Sequence, residues 1–220
     1  MLRRVAAMAF GGVYAFPGGS VDPSDRPETL RTDWGERLGV PDEPARAVVG
    51  AAARELFEEA GVLLAGRRDE PDHTVGDVGD LEDERRRIVA RDLTMTDLLN
   101  ERELRLRDDL LLPWARWITP EFEPRRFDTW FFVALLPEAQ TARDVSGEAD
   151  RTTWISPAAA GGLAMLPPTR SILDDLRAFD SIADVIAAER NAATPVMPRV
   201  ELTPDGGAVL QVAQPNRPVM

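Results

Sequence analysis

The chain has 220 residues, 44% of them apolar, enough for one decorated domain with a substantial core. Its 26 basic residues, all arginine, face 38 acidic ones for a net charge of −12, which argues against a nucleic-acid surface and leaves any anionic substrate dependent on metal ions or local arginine clusters. The absence of cysteine and lysine and the single histidine, His73, exclude disulfides, thiolate catalysis, Schiff-base chemistry, the P-loop and multi-histidine metal sites.

No apolar run reaches membrane-spanning length and no signal-peptide pattern opens the sequence, so a soluble cytoplasmic protein without membrane partners is expected. Arginine throughout in place of lysine, with abundant alanine, matches the composition of a GC-rich bacterial genome.

The opening "MLRRVAAMAFGGVYAFPGG" starts inside a predicted strand and reaches a second, Val13 to Phe16, before the Pro17-Gly18-Gly19 turn. Nothing precedes the first strand, so an open apolar edge is expected, one that invites pairing with a second chain as a homodimer. A native segment upstream of Met1 is the favoured cover, with the C-terminal β-segment as the other source. Residues 21–44 are polar, rich in proline and aspartate, and read as an insertion with a short helix from Glu28 to Leu38. Ala45 to Leu64 follows as an amphipathic helix with Gly61 near its end.

His73 falls in a loop, and Leu81 to Asn100 and Glu101 to Leu111 read as one or two helices of a helical module. Trp114 to Thr119 alternates as a strand does, and the run from Phe127 is the most apolar strand of the chain. "RTTWIS" is a further strand; Trp114, Trp117, Trp130 and Trp154 are expected in the core. Helices are predicted at Pro157 to Gly161, at Thr169 to Phe179 with Thr169 as its cap, and at Ser181 to Asn191. A hairpin closes around Asp205-Gly206-Gly207.

The long helix carries "RELFEEAG". At about 100° per residue, Glu55, Glu58 and Glu59 converge on one face, opposite Val49, Ala53, Leu56, Phe57 and Ala60. Like charges at these spacings repel by a few tenths of a kcal/mol per pair, and Arg54 offers local relief. Two readings stand: a solvated acidic face, or ligands for a hard divalent cation shared with substrate phosphates.

Joined to "FPGG" at Phe16 to Gly19, the segment Arg54 to Val62 resembles the Nudix box, G-x5-E-x7-R-E-U-x-E-E-x-G-U with U aliphatic. Asp25 stands where the pattern has its first glutamate, and residues 26–53 replace the seven-residue spacer, so an insertion splits the motif. The second half matches at Arg54, Glu55, Leu56, Glu58, Glu59, Gly61 and Val62. With "WITP", "RRFDTWFFVA" and "LPPT" further on, the chain resembles the Nudix branch that contains the peroxisomal coenzyme A diphosphatases, from about Leu2 to Arg177.

The resemblance implies an α/β fold: a Nudix α/β/α sandwich around a mixed sheet, with a helical insertion module and a C-terminal β-hairpin. The expected division is a Nudix domain at 1–192, with insertions at about 26–45 and 81–112, then an extension at 193–220. It further implies hydrolysis of a diphosphate bond in a small nucleoside diphosphate derivative, with Mg²⁺ or Mn²⁺ held by Glu55, Glu58 and Glu59, and with Arg54 orienting one of them. The expected substrate is coenzyme A or an acyl derivative, although the arginine-rich signature of the coenzyme A enzymes is matched here only through Arg4 and Met8. ADP-ribose or NADH, or a nucleotide sensor without catalysis, are the alternatives.

The general base is Glu55 or Glu148 of the "VSGEAD" loop, the latter read equally as a solvated loop acid. Gly18 and Gly19 let the backbone turn tightly against metal or phosphate, because a Cβ there would clash. Asp22 and Asp25 are candidate caps of the inserted helix. Arg125 and Arg126 are candidates for gripping phosphate, or an edge pair facing water.

Overall fold

The computed structural model describes residues 1–5, 11–30, 33–70, 72–143, 145, 149–188, 190, 192–203 and 208–212. Strand β1 (Leu2–Arg4) lies between β2 (Tyr14–Ala15) and β7 (Ala149–Thr152), antiparallel to both. The first strand therefore has no open edge, contrary to expectation. It is β7, rather than the C-terminal hairpin, that pairs with it, and the Met1 ammonium extends that pairing by donating to Thr153 O at 3.1 Å.

Helix α1 (Trp34–Leu38) is shorter than the predicted Glu28–Leu38 and precedes α2 (Asp42–Ala60). The long helix starts a turn earlier than predicted, because Pro44 falls within its first turn, where a missing N–H is no loss. Asp42 and Glu43 there also favour the positive end of the helix dipole. The helix stops at Ala60 because Gly61 adopts φ 64°, and Val62, Leu63 and Leu64 leave it as buried chain outside any strand. Gln140 satisfies that buried backbone: Leu63 N donates to its Oε1 at 2.9 Å, and its Nε2 donates to Leu63 O and Val75 O.

Strand β3 (Ala65–Arg67) pairs with β4 (Leu104–Leu106). Between them stand α3 (Glu82–Val89) and α4 (Met95–Glu101), the latter opened by a Thr94/Asp97 capping box. The predicted helix Glu101–Leu111 does not form: Glu103 takes a left-handed backbone, Leu104 and Leu106 point inward at strand spacing, and a short 3₁₀ turn at Asp108–Leu110 leads into β5 (Leu111–Ile118).

β5 is the centre of a mixed sheet, antiparallel to β6 (Asp128–Ala134) and parallel to β8 (Pro195–Val196). The described strands thus fall into four hydrogen-bonded sheets, of which this one mixes directions. Helices α5 (Pro167–Leu176) and α6 (Ile182–Ala187) follow β7. Thr169 is not the cap of α5; the helix begins at Pro167, whose fixed φ suits the first helical position, and Thr169 is buried in its first turn. Strands β9 (Arg199–Leu202) and β10 (Ala208–Gln211) form the expected hairpin, its Asp205-Gly206-Gly207 turn lying outside the described residues.

One core cluster runs from α1 and α2 through Ile88, Leu98 and Leu99 of α3 and α4 to Ala192. Trp34 anchors α1 in it by donating from Nε1 to Asp108 Oδ2 at 2.6 Å. A second cluster joins Trp114 and Trp117 to Ile172 of α5 and Val196. Trp130 packs against the first cluster, but Trp154 is 72% exposed, because β7 ends at Thr152 and carries no inward position that far along.

Candidate active site

Two of the three carboxylates on the acidic face of α2 are buried, and Glu59 is half-buried. Glu55 is 8% exposed and Glu58 9%, and the reason is Arg54, itself 1% exposed. Its Nη1 donates to Glu55 Oε1 at 2.8 Å and to Glu58 Oε1 at 3.1 Å. Nε and Nη2 donate to Asp25 Oδ1 and Oδ2 at 2.8 and 3.0 Å, and Nη2 also reaches Ser20 O at 2.9 Å. One planar guanidinium therefore ties three carboxylates to the chain around the glycine turn.

Burial alone lowers the Arg54 pKa, but the bonds to Asp25, then the charges of Asp25 and Glu55, outweigh it and hold the group above its ordinary value. For Glu55 the balance goes the other way: burial raises its carboxyl above the usual range, and the Arg54 charge recovers only part of this.

The turn before the insertion closes over these groups. Gly18 N donates to Glu59 Oε2 at 3.0 Å. A Cβ on Gly19 would stand 2.3 Å from Glu55 Oε1, so the backbone lies close against the carboxylate; at Gly18, contrary to expectation, a Cβ would meet nothing within 4 Å, and it is the backbone at φ 155° that favours glycine there. Asp22 to Asp25 form a tight turn of their own, with Asp22 N donating to Asp25 Oδ2 at 2.7 Å and Ser24 N to Asp22 Oδ1 at 2.9 Å. Neither aspartate caps an inserted helix; α1 begins further on, after Asp33.

Sequence reasoning missed three contributors. Gly50 lets the Asp25–Pro27 segment lie against α2, since a Cβ there would be 2.9 Å from Pro27 Cδ and 3.1 Å from Asp25 O. Buried Arg85 of α3 donates to Glu58 O at 2.7 Å and pairs with Glu82 at 2.7 Å, meeting a backbone carbonyl in the last turn of α2. Arg91, after α3, donates to Glu58 Oε1 at 3.1 Å. A run of arginines in "ERRRIVARD" was visible, but nothing in it named which would turn toward α2.

Other expected site residues are elsewhere. Glu148 lies outside the described residues, as does Met8. Arg126 Nε donates to Thr119 O at 3.0 Å, and the Arg125 guanidinium lies 5.0 Å from the Phe127 ring centre. Their contacts are with the β5–β6 turn and with Met197 after β8, and among the described residues no hydrogen bond or ion pair joins them to the carboxylates. A cavity of about 160 Å³ between Pro27 and Asn100 is small for a nucleotide and is lined by other residues.

Among the described residues, no three acidic or imidazole side chains form a ready-made metal cage. The donor set nevertheless fits a hard cation of the Mg²⁺ kind, which takes one or two carboxylates together with water and phosphate oxygens and dispenses with an all-protein cage. Glu55, Glu58 and Glu59 could supply those oxygens from one helix face, where Arg54 and the Gly18 amide hold them in place.

Comparison with known proteins agrees with this geometry. Residues 31–163 match the family model described as the NUDT19 Nudix domain. A curated Caenorhabditis elegans relative, nudix hydrolase 7, is 27% identical over 208 residues, which is 90% of this chain and 62% of that protein, so the chain spans less than two thirds of its relative's length. The crystal structure of a Nudix hydrolase from Alicyclobacillus acidocaldarius is similar with a TM-score of 0.67 at 25% identity, covering 86% of this chain and 87% of that one. Among the described residues no helix is long and apolar enough to cross a membrane. With the family model spanning more than half of the chain and the split box reassembled around Arg54, the chain belongs to the Nudix family and carries a NUDT19-type Nudix domain.

Proposed function

We propose that the chain hydrolyses a diphosphate bond in a nucleoside diphosphate derivative, coenzyme A or an acyl-coenzyme A first among the candidates, with Mg²⁺ or Mn²⁺ bound through Glu55, Glu58 and Glu59. The observation that supports this reading is the buried Arg54 gripping Glu55 and Glu58 of α2 together with Asp25 from beyond the glycine turn, because a merely solvated helix face has no need to gather three like charges at one point.

A divalent ion, when bound, would polarise the phosphoryl oxygens and make a water nucleophilic near neutral pH. The chain's own part is positioning. Arg54 fixes the orientation of Glu55 and Glu58, and the Gly18 amide fixes Glu59. Glu55 is the general base in this reading, its carboxylate held beneath the glycine turn, and Glu148 is the alternative. The net charge of −12 makes the local cations a requirement for a substrate that is itself anionic.

The experiment is a panel of coenzyme A, acetyl-coenzyme A, ADP-ribose and NADH, each assayed with Mg²⁺ and with Mn²⁺. Metal-dependent turnover fastest with the coenzyme A compounds is expected. Faster cleavage of ADP-ribose or NADH moves the substrate assignment, and no turnover of any compound with either metal overturns the enzymatic reading.

A further inference from the structure

Arg91 reaches the acidic face from a different part of the chain. It stands on the turn after α3, at φ 65°, where a residue with a side chain seldom sits and glycine is the usual occupant. From there its Nη1 donates to Glu58 Oε1 at 3.1 Å, and the same oxygen accepts from Arg54 Nη1, also at 3.1 Å. A carboxylate oxygen has about two acceptor positions, so both are engaged.

The two arginines are not equivalent. Arg54 is sealed in and bonded to Asp25, Glu55 and Ser20 besides Glu58. The Arg91 side chain is 51% exposed, and among the described residues Glu58 is its one hydrogen-bond partner. A divalent ion ligated by Glu58 would compete for that acceptor and set like charge beside both guanidiniums. The loosely held one, Arg91, is the one able to yield. Its half-exposed side chain meets the carboxylate cluster from the solvent side at Glu58, near enough for its charge to act on Glu55 and Asp22 as well. A displaced guanidinium there keeps a planar fork of donors suited to two phosphate oxygens.

We propose that Arg91 has two partners in turn: Glu58, as seen here, and, once a divalent cation holds Glu58, the diphosphate of the substrate. The inference rests on the reading of Glu58 as a metal ligand. It makes the α3–α4 module part of the substrate site and Arg91 a binding residue specific for the charged linkage, whatever group the nucleotide carries.

Because φ 65° suits glycine, Arg91→Gly removes the side chain without straining the backbone, and its melting temperature should stay close to that of the wild type, the relieved backbone offsetting the lost bond to Glu58. Calorimetry with Mn²⁺ should show several-fold tighter metal binding in this variant than in wild type. A methylene-bridged ADP analogue, added to the Mn²⁺-saturated proteins, should bind about tenfold more weakly to Arg91→Gly, with Arg91→Lys between the two. Unchanged affinity for both ligands, or weaker Mn²⁺ binding in Arg91→Gly, overturns the proposal. If wild type binds Mn²⁺, Glu58→Gln abolishes binding and Arg91→Gly equals wild type in both titrations, the Arg91 inference alone falls; if wild type binds no Mn²⁺, the metal-ligand reading falls with it.

Discussion

Arg54 and Asp25 face each other across the split in the Nudix box, joined by paired hydrogen bonds of 2.8 and 3.0 Å and exposed by only 1% and 3%. The two residues are 29 positions apart, yet the insertion between them leaves their side chains in direct register. Asp25→Asn should cost about 3 kcal/mol in a urea melt, because it leaves part of a buried guanidinium charge uncompensated. The double variant with Arg54→Met should lose less than the sum of the two single changes, with a coupling of about 2 kcal/mol. Additive losses would mean that the pair does not interact as its geometry requires.

Gly19 and Gly18 should behave differently. A Cβ at position 19 meets the Glu55 carboxylate, with Oε1 at 2.3 Å and Oε2 at 2.8 Å, whereas nothing lies within 4 Å of one at position 18. The atoms displaced by Gly19→Ala end a side chain that can rotate away, so the stability cost should be near 1 kcal/mol, or about 2–4 °C in melting temperature. The displaced carboxylate leaves Arg54, and Mn²⁺ affinity measured by calorimetry should fall by about tenfold or more. An equal effect on metal binding from Gly18→Ala would show that backbone conformation, not the contact with Glu55, decides.

Glu58→Gln should cut the metal-dependent hydrolysis by at least about a hundredfold under metal saturation. The pattern of apolar positions predicts no stability cost, since Glu58 stands opposite the apolar arc. The structure alters this expectation: Glu58 is buried and accepts from two guanidiniums, so a loss of about 1–2 kcal/mol should accompany the change. A folded, metal-saturated variant retaining more than about half the activity removes Glu58 from the ligand set.

How much of this was legible beforehand depends on the range of the interaction. Arg54, Glu55, Glu58 and Glu59 lie within two turns of one helix, so periodicity alone puts them together. The glycine turn was legible through its motif. The partner of Asp25 was not, because spacing says nothing about where a chain returns after an insertion of this length. Leu104 and Leu106 show the same limit from the other side: two leucines two apart suit a strand, but only pairing with β3, across two intervening helices, decides for it. Trp154 shows it again: an aromatic residue in an apolar run suits an inward strand position, but the strand stops before reaching it. Arg85 and Arg91 sit among so many arginines that composition hides the two that matter.

Arg125 and Arg126 provide a test of substrate reading distinct from the metal site. If they grip a phosphate beyond the scissile linkage, their joint replacement by alanine should raise KM for coenzyme A several-fold more than for dephospho-coenzyme A, with kcat little changed. Their contacts with Thr119, Phe127 and Met197 are confined to an exposed turn and its neighbour, so the variant should remain folded. Equal effects on the two compounds remove the pair from the phosphate site.

Glu82 links the acidic helix to the helical module through pH. Its hydrogen bonds from Arg85, followed by the charges of Arg85, Arg86 and Arg143, hold the carboxyl below its ordinary value of 4.5 despite the opposing effect of burial. The unfolded chain therefore binds more protons than the native one as the pH drops below 4.5. The stability from this group is fully present above the unfolded value and is lost as the pH falls through the folded one. Glu82→Gln should cost about 1 kcal/mol at neutral pH, given a paired bond to a buried arginine that is itself anchored on Glu58 O. The gap between wild type and variant should then close progressively below 4.5, since a protonated glutamate and a glutamine are alike in charge. Urea melts of both proteins over that range provide the measurement, and a gap of constant size down the acid limb would show that shape and packing, not the ion pair, hold Glu82 against Arg85.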